Sequence, residues 1–251
     1  MDAAVGPITT FGSSFLDAPD ALAVPGGVLI ASPMAGTARV FRSGAAPGDT
    51  GVEPLAAAPG CLATSPALAR DSSSGEVWVA WAQSSCAQAG IFAQRVDPAT
   101  GGLIGTPVAA PGAGGQTTAL DERLALTGRP GQTGVFLAYP DGAGAGVRVW
   151  QVGASSATLV KKRGQANPRT VRIAVDGRGG GMWALWSEDR RFEVQRLSAA
   201  GAPVGTPRPA DLPADAGLAL SRDVQIAARG TGLDVVLGVR GTGLYRTTFV
   251  R

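Results

Sequence analysis

The stretch ARDSSSGEVWVAW (Ala69–Trp81) returns about a hundred residues later as AVDGRGGGMWALW (Ala174–Trp186). Each copy has an Asp, a Gly four residues on, and then Trp-x-x-Trp. The likeness continues past the second Trp. A polar loop leads into a third apolar run, a turn and a Gly-Thr-Pro segment. Gln94-Arg95 matches Gln195-Arg196, and Gly105-Thr106-Pro107 matches Gly205-Thr206-Pro207. A third copy, VQIAARGTGLDVVLGV (224–239), superposes on residues 171–186 without a gap. There the Asp becomes Arg229 and the two Trp become Val236 and Val239. Weaker copies occupy 123–139 and 21–32. The apolar-Ala pairs Leu22-Ala23, Leu68-Ala69, Leu124-Ala125, Ile173-Ala174 and Ile226-Ala227 mark five units, about 46 to 56 residues apart.

A period near fifty, with four short β-rich runs per unit bounded by Gly, Pro, Asp or Ser, is the pattern of a β-propeller blade. Val77–Trp81 is continuously apolar rather than alternating, which suits a strand covered on both faces by neighbouring blades. The expected fold is therefore all-β: a five-bladed β-propeller of four-stranded antiparallel blades forming one domain over 1–251. The blades fall at about 15–58, 59–112, 113–164, 165–214 and 215–251 plus 1–14. The last unit ends after its third strand. VGPITTFG (5–12) is similar to the fourth-strand segments, so the N-terminal strand is expected to close the last blade and remove an open edge.

The motif D-x3-G-x2-W resembles a loosened Asp box (S-x-D-x-G-x-T-W) of sialidase-type and related bacterial propellers. In those families the Asp box is a structural turn away from the catalytic centre. The resemblance implies a turn role for Asp71 and Asp176, as does the ability of Asp in a turn to accept backbone N–H groups. Thr127, Arg229 and Pro25 stand at the corresponding place in the other units. Interchange of aromatic and aliphatic residues along the second strand (Trp78, Trp81, Trp183 and Trp186 against Phe136, Tyr139, Val236 and Val239) reads as blade-to-blade packing.

Composition narrows the chemistry. There is no histidine, so Ser-His-Asp and Cys-His machinery, His bases and His metal ligands are excluded together. No metal and no cofactor are expected. Charged residues make up 16% of the chain and the net charge is +3, with no basic cluster beyond Lys161–Arg163. Nucleic acid is thus not an expected partner. No apolar run is long enough for a membrane span. The N-terminus lacks the basic and apolar regions of a signal peptide. Cys61 and Cys86 fall in two loops on one face of the second blade. A disulfide between them would close a loop of about 25 residues, contribute about 3 kcal/mol and suit an oxidising compartment. A secreted or cell-surface monomer is expected.

In a propeller, the loop entering each inner strand and the loop between the second and third strands share one face, here called the top. That face collects the less repetitive polar residues. The entering loops carry Asp20, Asp121, Glu122, Arg123, Arg169, Arg222 and Asp223. The second-to-third loops carry Asp141, Glu188, Asp189, Arg190, Arg191 and Arg240. Arg169 and Arg222 occupy equivalent places before their inner strands and are expected to converge on the channel mouth. There they would either hold an anionic group such as a carboxylate or neutralise neighbouring acids. The candidate ligand-binding set is Arg169, Arg222, Asp223, Asp121, Glu122, Arg123, Glu188, Arg190 and Arg240; no catalytic residue is assigned. The expected function is non-enzymatic binding of a carbohydrate or protein at the top face. The alternative is a glycoside hydrolase or sialidase-like enzyme. Five-bladed glycosidases of the arabinanase and levansucrase type use three carboxylates at the channel mouth, and Asp20, Asp121, Glu122 and Asp223 lie in that region.

Overall fold

The computed structural model describes residues 19–34, 37–43, 53–56, 60–84, 86–113, 124–141, 146–161, 168–176, 180–188, 191–210, 224–229, 232–239 and 243–249. These form nineteen strands in five antiparallel sheets. The first comprises β1 (Asp20–Val24), β2 (Gly27–Met34), β3 (Thr37–Arg42) and β4 (Glu53–Pro54). The second comprises β5 (Leu62–Arg70), β6 (Val77–Ser84), β7 (Gly90–Val96) and β8 (Leu103–Ala109). The third comprises β9 (Ala125–Gly128), β10 (Val135–Asp141), β11 (Gly146–Gln151) and β12 (Thr158–Lys161). The fourth comprises β13 (Pro168–Val175), β14 (Gly181–Glu188), β15 (Arg191–Ser198) and β16 (Pro203–Ala210). The fifth comprises β17 (Val224–Arg229), β18 (Gly232–Val239) and β19 (Gly243–Phe249). Strand order follows chain order within every sheet. The chain is a five-bladed β-propeller. The expected closing strand within residues 1–14 lies outside the described residues.

The Trp-x-x-Trp spacing shows why these sheets pack as blades. Successive side chains on a strand point to opposite faces, so residues three apart do as well. Trp81 enters the apolar core shared with the first blade, together with Leu29, Val40 and Leu55. Trp78 packs on the other side, against the core shared with the third blade. The fourth blade repeats the device. Trp186 faces the third blade beside Phe136 and Val149, and Trp183 faces the fifth beside Leu233 and Val235. Among the described residues, four apolar cores therefore occupy the junctions between successive blades from the first to the fifth. Trp81 and Trp186 are both completely buried, and Trp81 stacks on Phe92 of its own sheet at a centroid distance of 5.9 Å.

The repeated Gln-Arg and Gly-Thr-Pro segments build a bulge between the third and fourth strands. The register of β7 with β8 shifts between Ala93 and Arg95, and that of β15 with β16 shifts between Val194 and Arg196. Gly105 and Gly205 sit at φ 74° and 73°, where glycine avoids the clash a Cβ would make. The carbonyls displaced there are satisfied from the neighbouring strand. Gln94 Nε2 donates to Gly105 O at 2.7 Å, and Gln195 Nε2 donates to Val204 O at 2.8 Å. A bulge of this kind also protects an outer edge from pairing with another chain.

Asp71 follows β5 in the turn to β6 and is 1% exposed. Its Oδ1 accepts the Ser73 and Ser74 N–H groups at 2.8 and 3.3 Å, and its Oδ2 accepts the Ser74 hydroxyl at 2.7 Å. Oδ2 also accepts Gly134 N–H at 2.6 Å, across the junction with the third blade. Asp176, equally buried, pairs with Arg196 at 3.1 Å. Asp71 thus holds the turn between the first two strands of its blade, and Asp176 directly follows β13 and is paired to the third strand of its own blade. The Cys61–Cys86 disulfide is formed, with Cα atoms 5.1 Å apart. It ties the start of β5 to the loop after β6. Among the described residues there is no helix long and apolar enough to cross a membrane.

Candidate functional site

The five inner strands, β1, β5, β9, β13 and β17, surround a cavity of about 190 Å³. All five contribute to its wall. Leu68, Leu124, Ile173 and Ile226 supply apolar surface, and Asp20, Ser65, Arg172 and Gln225 supply polar groups. The apolar four belong to the apolar-Ala pairs that mark the repeat. Each lies where its strand contributes both to the channel and to the packing between blades.

Asp20 begins β1. Its Oδ2 accepts Leu68 N–H from β5 at 2.7 Å and its Oδ1 accepts Ala21 N–H at 2.9 Å. Removal from water raises its carboxyl pKa above the ordinary value. The two N–H groups and the positive charge of Arg172 pull it down, but by less. Arg172 Nε donates to Val224 O of the fifth blade at 2.8 Å, and Nη1 donates to Val171 O at 2.9 Å. The guanidinium is therefore held in place by backbone carbonyls on the channel wall.

Ser65 reaches the cavity through a distortion of β5. The register of β5 with β6 shifts between Thr64 and Ala67, so Ser65 and Pro66 together stand opposite Trp81. Such a bulge redirects side chains. A second one lies near the start of β13, between Pro168 and Val171.

Most of the residues singled out from the sequence are not among those described. Asp121, Glu122, Arg123, Arg190, Arg222, Asp223 and Arg240 lie outside the described residues. Arg169 and Glu188 belong to β13 and β14 by their backbone, and their side chains lie outside those described. Arg169 is thus inside its strand rather than in the loop before it, because pairing begins at Pro168 opposite Glu188. Asp141 ends β10, is 4% exposed, and pairs with Arg148 Nε at 2.7 Å. That acid helps join β10 to β11. The channel groups missed by sequence reasoning are Ser65, Arg172 and Gln225. A signal existed for two of them. Arg172 and Gln225 hold the same place in VRIA and VQIA, a polar residue between apolar ones on an inner strand.

The sequence matches no family model and no curated protein. Solved structures do resemble the fold. The hydrazine synthase of Kuenenia stuttgartiensis is similar over 98% of this chain and 65% of its own, at 12% identity and a TM-score of 0.50. A GH43 endo-arabinanase from Bacillus licheniformis is similar over 94% of each chain, at 13% identity and a TM-score of 0.46. A GH43 β-1,3-galactosidase solved with galactodeoxynojirimycin is similar over 92% of this chain and 88% of its own, at 10% identity and a TM-score of 0.48. These are likenesses of fold.

The cavity itself limits what the site can hold. At about 30 Å³ per water, 190 Å³ is room for roughly six waters. That falls below the roughly 300–1,000 Å³ of sites for drug-sized ligands and suits one small polar ring. Among the described residues, no three of Asp, Glu and Cys come together as metal ligands would.

Proposed function

We propose that this propeller acts on carbohydrate at its central channel, as a glycoside hydrolase that accommodates a single sugar unit there. The observation that carries this reading is Asp20. It is a carboxyl group held in a small cavity where five strands converge, with its pKa raised by loss of water. A carboxyl shifted in that direction keeps its proton to higher pH, the property required to protonate a leaving glycosidic oxygen. Glycoside hydrolysis needs a second carboxylate as base or nucleophile. Asp121 and Glu122 precede β9 in the chain and Asp223 precedes β17, so we assign that role to one of these three. Arg172 would then limit the build-up of negative charge beside Asp20. Asp71 and Asp176 keep the Asp-box-like turn role. With both cysteines paired, the protein suits an oxidising compartment, and we place it outside the cell, as a monomer.

A second reading has its own support. Among the described residues lining the cavity, Asp20 is the one carboxyl, which suffices to bind a sugar but not to cleave its linkage. One experiment separates the two. A panel of chromogenic glycosides is incubated with the wild type and with Asp20→Asn, alongside a glycan array. Turnover that falls by about 10²- to 10⁴-fold in Asp20→Asn, as expected for loss of an acid catalyst, supports hydrolysis. Array binding without turnover supports the non-enzymatic module. Turnover unchanged in Asp20→Asn removes the channel from the mechanism.

A further inference from the structure

Four polar side chains line the cavity among the described residues: Asp20, Ser65, Arg172 and Gln225. Three of them are committed within the protein. Asp20 accepts the Leu68 and Ala21 N–H groups. Arg172 donates to the Val224 and Val171 carbonyls. Ser65 is engaged within the protein as well. Gln225 differs. Among the described residues its side-chain amide has no hydrogen-bond partner. Strand alternation fixes where that amide points. Val224, Ile226 and Ala228 pack in the core shared with the fourth blade. Gln225, between the first two, therefore turns away from that core and is exposed where β17 lines the cavity.

Gln225 holds the place on β17 that Arg172 holds on β13, just before the apolar-Ala pair. Arg172 is anchored to the carbonyl of Val224, the residue preceding Gln225. The two long polar side chains thus arise from adjoining points of the wall. Ala21 and Ala67 stand at that place in the first two blades, so the long polar groups described there come from the fourth and fifth. Small-molecule sites fix orientation with a few placed polar groups on an otherwise apolar wall. A carboxamide sets an acceptor beside two donors, and neighbouring hydroxyls of a sugar ring offer the complementary pair. We infer that Gln225 is a specificity-determining residue of the channel, its carboxamide accepting from one ring hydroxyl of the bound sugar and donating to the next. This deepens the carbohydrate reading and rests on it. The amide is neutral, so it adds no charge beside Asp20. It also breaks no internal hydrogen bond with a described residue when it engages the ligand. A site built to hydrogen-bond a hydroxyl rejects the analogue that lacks it.

The experiment compares Gln225→Ala, Gln225→Met and Asp20→Asn with the wild type. Met keeps the reach of the side chain without its hydrogen-bonding groups. The probes are 4-nitrophenyl glycosides of the common pentoses and hexoses, and the monodeoxy analogues of whichever is handled best. KM is measured where there is turnover, and Kd by calorimetry where there is binding alone. Both Gln225 variants are expected to weaken the parent glycoside about tenfold. Toward the analogue lacking the contacted hydroxyl, the wild type is already weak and the variants differ from it by less than about threefold. Thermal midpoints stay within about 2 °C of wild type. Unchanged affinity for the parent in Gln225→Ala overturns the inference. Wild-type affinity in Gln225→Met also overturns it, because the side chain then acts by filling space. Equal weakening toward the parent and every deoxy analogue overturns it as well, as a general effect on the cavity. Any of these results, with Asp20→Asn impaired, leaves the carbohydrate site standing. A wild type that neither binds nor cleaves any probe overturns the site, and the role of Gln225 with it.

Discussion

Asp71 offers the sharpest test of how the blades are held together. Its carboxylate accepts four hydrogen bonds, and the one from Gly134 N–H crosses from the second blade to the third. Asp71→Ala removes all of them. The Ser73 and Ser74 groups are exposed and turn to water, but the half-buried Gly134 N–H loses a charged acceptor. Hydrogen bonds to a charged group are worth roughly 1.5–3 kcal/mol each. With one that is not replaced, the expected loss is about 2–3 kcal/mol. For a chain of this length, that lowers the midpoint by about 6 °C. Asp71→Asn should be intermediate. Its single carbonyl oxygen can serve either the Ser73 turn or Gly134, and the amide nitrogen turns a donor toward the other.

The pH dependence supplies an independent sign. Burial alone would raise the Asp71 pKa, but the bonds from Gly134, Ser74 and Ser73 outweigh it and hold the carboxyl below the ordinary 3.8. The folded protein therefore binds this proton less well than the unfolded chain. The stabilisation is fully present above the unfolded value and is lost as pH falls through the folded one. The assay is thermal denaturation by circular dichroism from pH 7 down to pH 3. Wild type and Asp71→Ala should differ most at neutral pH and converge in acid. A difference under about 2 °C at pH 7, the range of an ordinary surface substitution, would refute the assignment of Asp71 as an inter-blade latch.

Three further outcomes are expected. Trp81→Ala and Trp186→Ala each empty a completely buried site and should cost about 3–5 kcal/mol in chemical denaturation; a cost below about 1 kcal/mol in either would contradict the two-faced packing. Reduction of Cys61–Cys86 should lower stability by about 3 kcal/mol, read as a lower thermal midpoint in reducing buffer, with no change in a Cys61→Ala/Cys86→Ala double variant. Asp20 has the opposite sign to Asp71. Its folded pKa is raised, so ionisation costs stability as pH rises from the unfolded 3.8 through the folded value. The midpoint of Asp20→Asn relative to wild type should therefore climb across that window, and a flat difference from pH 3 to pH 7 would show that Asp20 is not desolvated.

The repeat was legible because blade construction is local. Hairpins set their own register through period-two alternation and turn chemistry, and five copies of one pattern reinforce each other. Asp71 declared its turn role by being replaced with Arg229 in a copy that kept the geometry. Gln94 and Gln195 were visible as matches, but their purpose was not. The carbonyls they satisfy belong to bulges that appear only once the third and fourth strands pair.

The channel lies on the other side of that division. Its wall takes between one and four residues from each of five strands separated by about fifty residues, and the ring decides which of them face inward. The start of β13 at Pro168 carried the Arg169 backbone into the strand, and Arg172, three residues later, lines the cavity. The bulge after Thr64 brought Ser65 to the wall at a backbone angle that nothing in LATSPALAR announces. Short-range hydrogen bonding and alternation are written into each segment, so the sequence was enough to identify the blade. The position of a side chain within the channel depends on strand starts, bulges and the closing of five blades around one axis, and those exist only in the assembled ring.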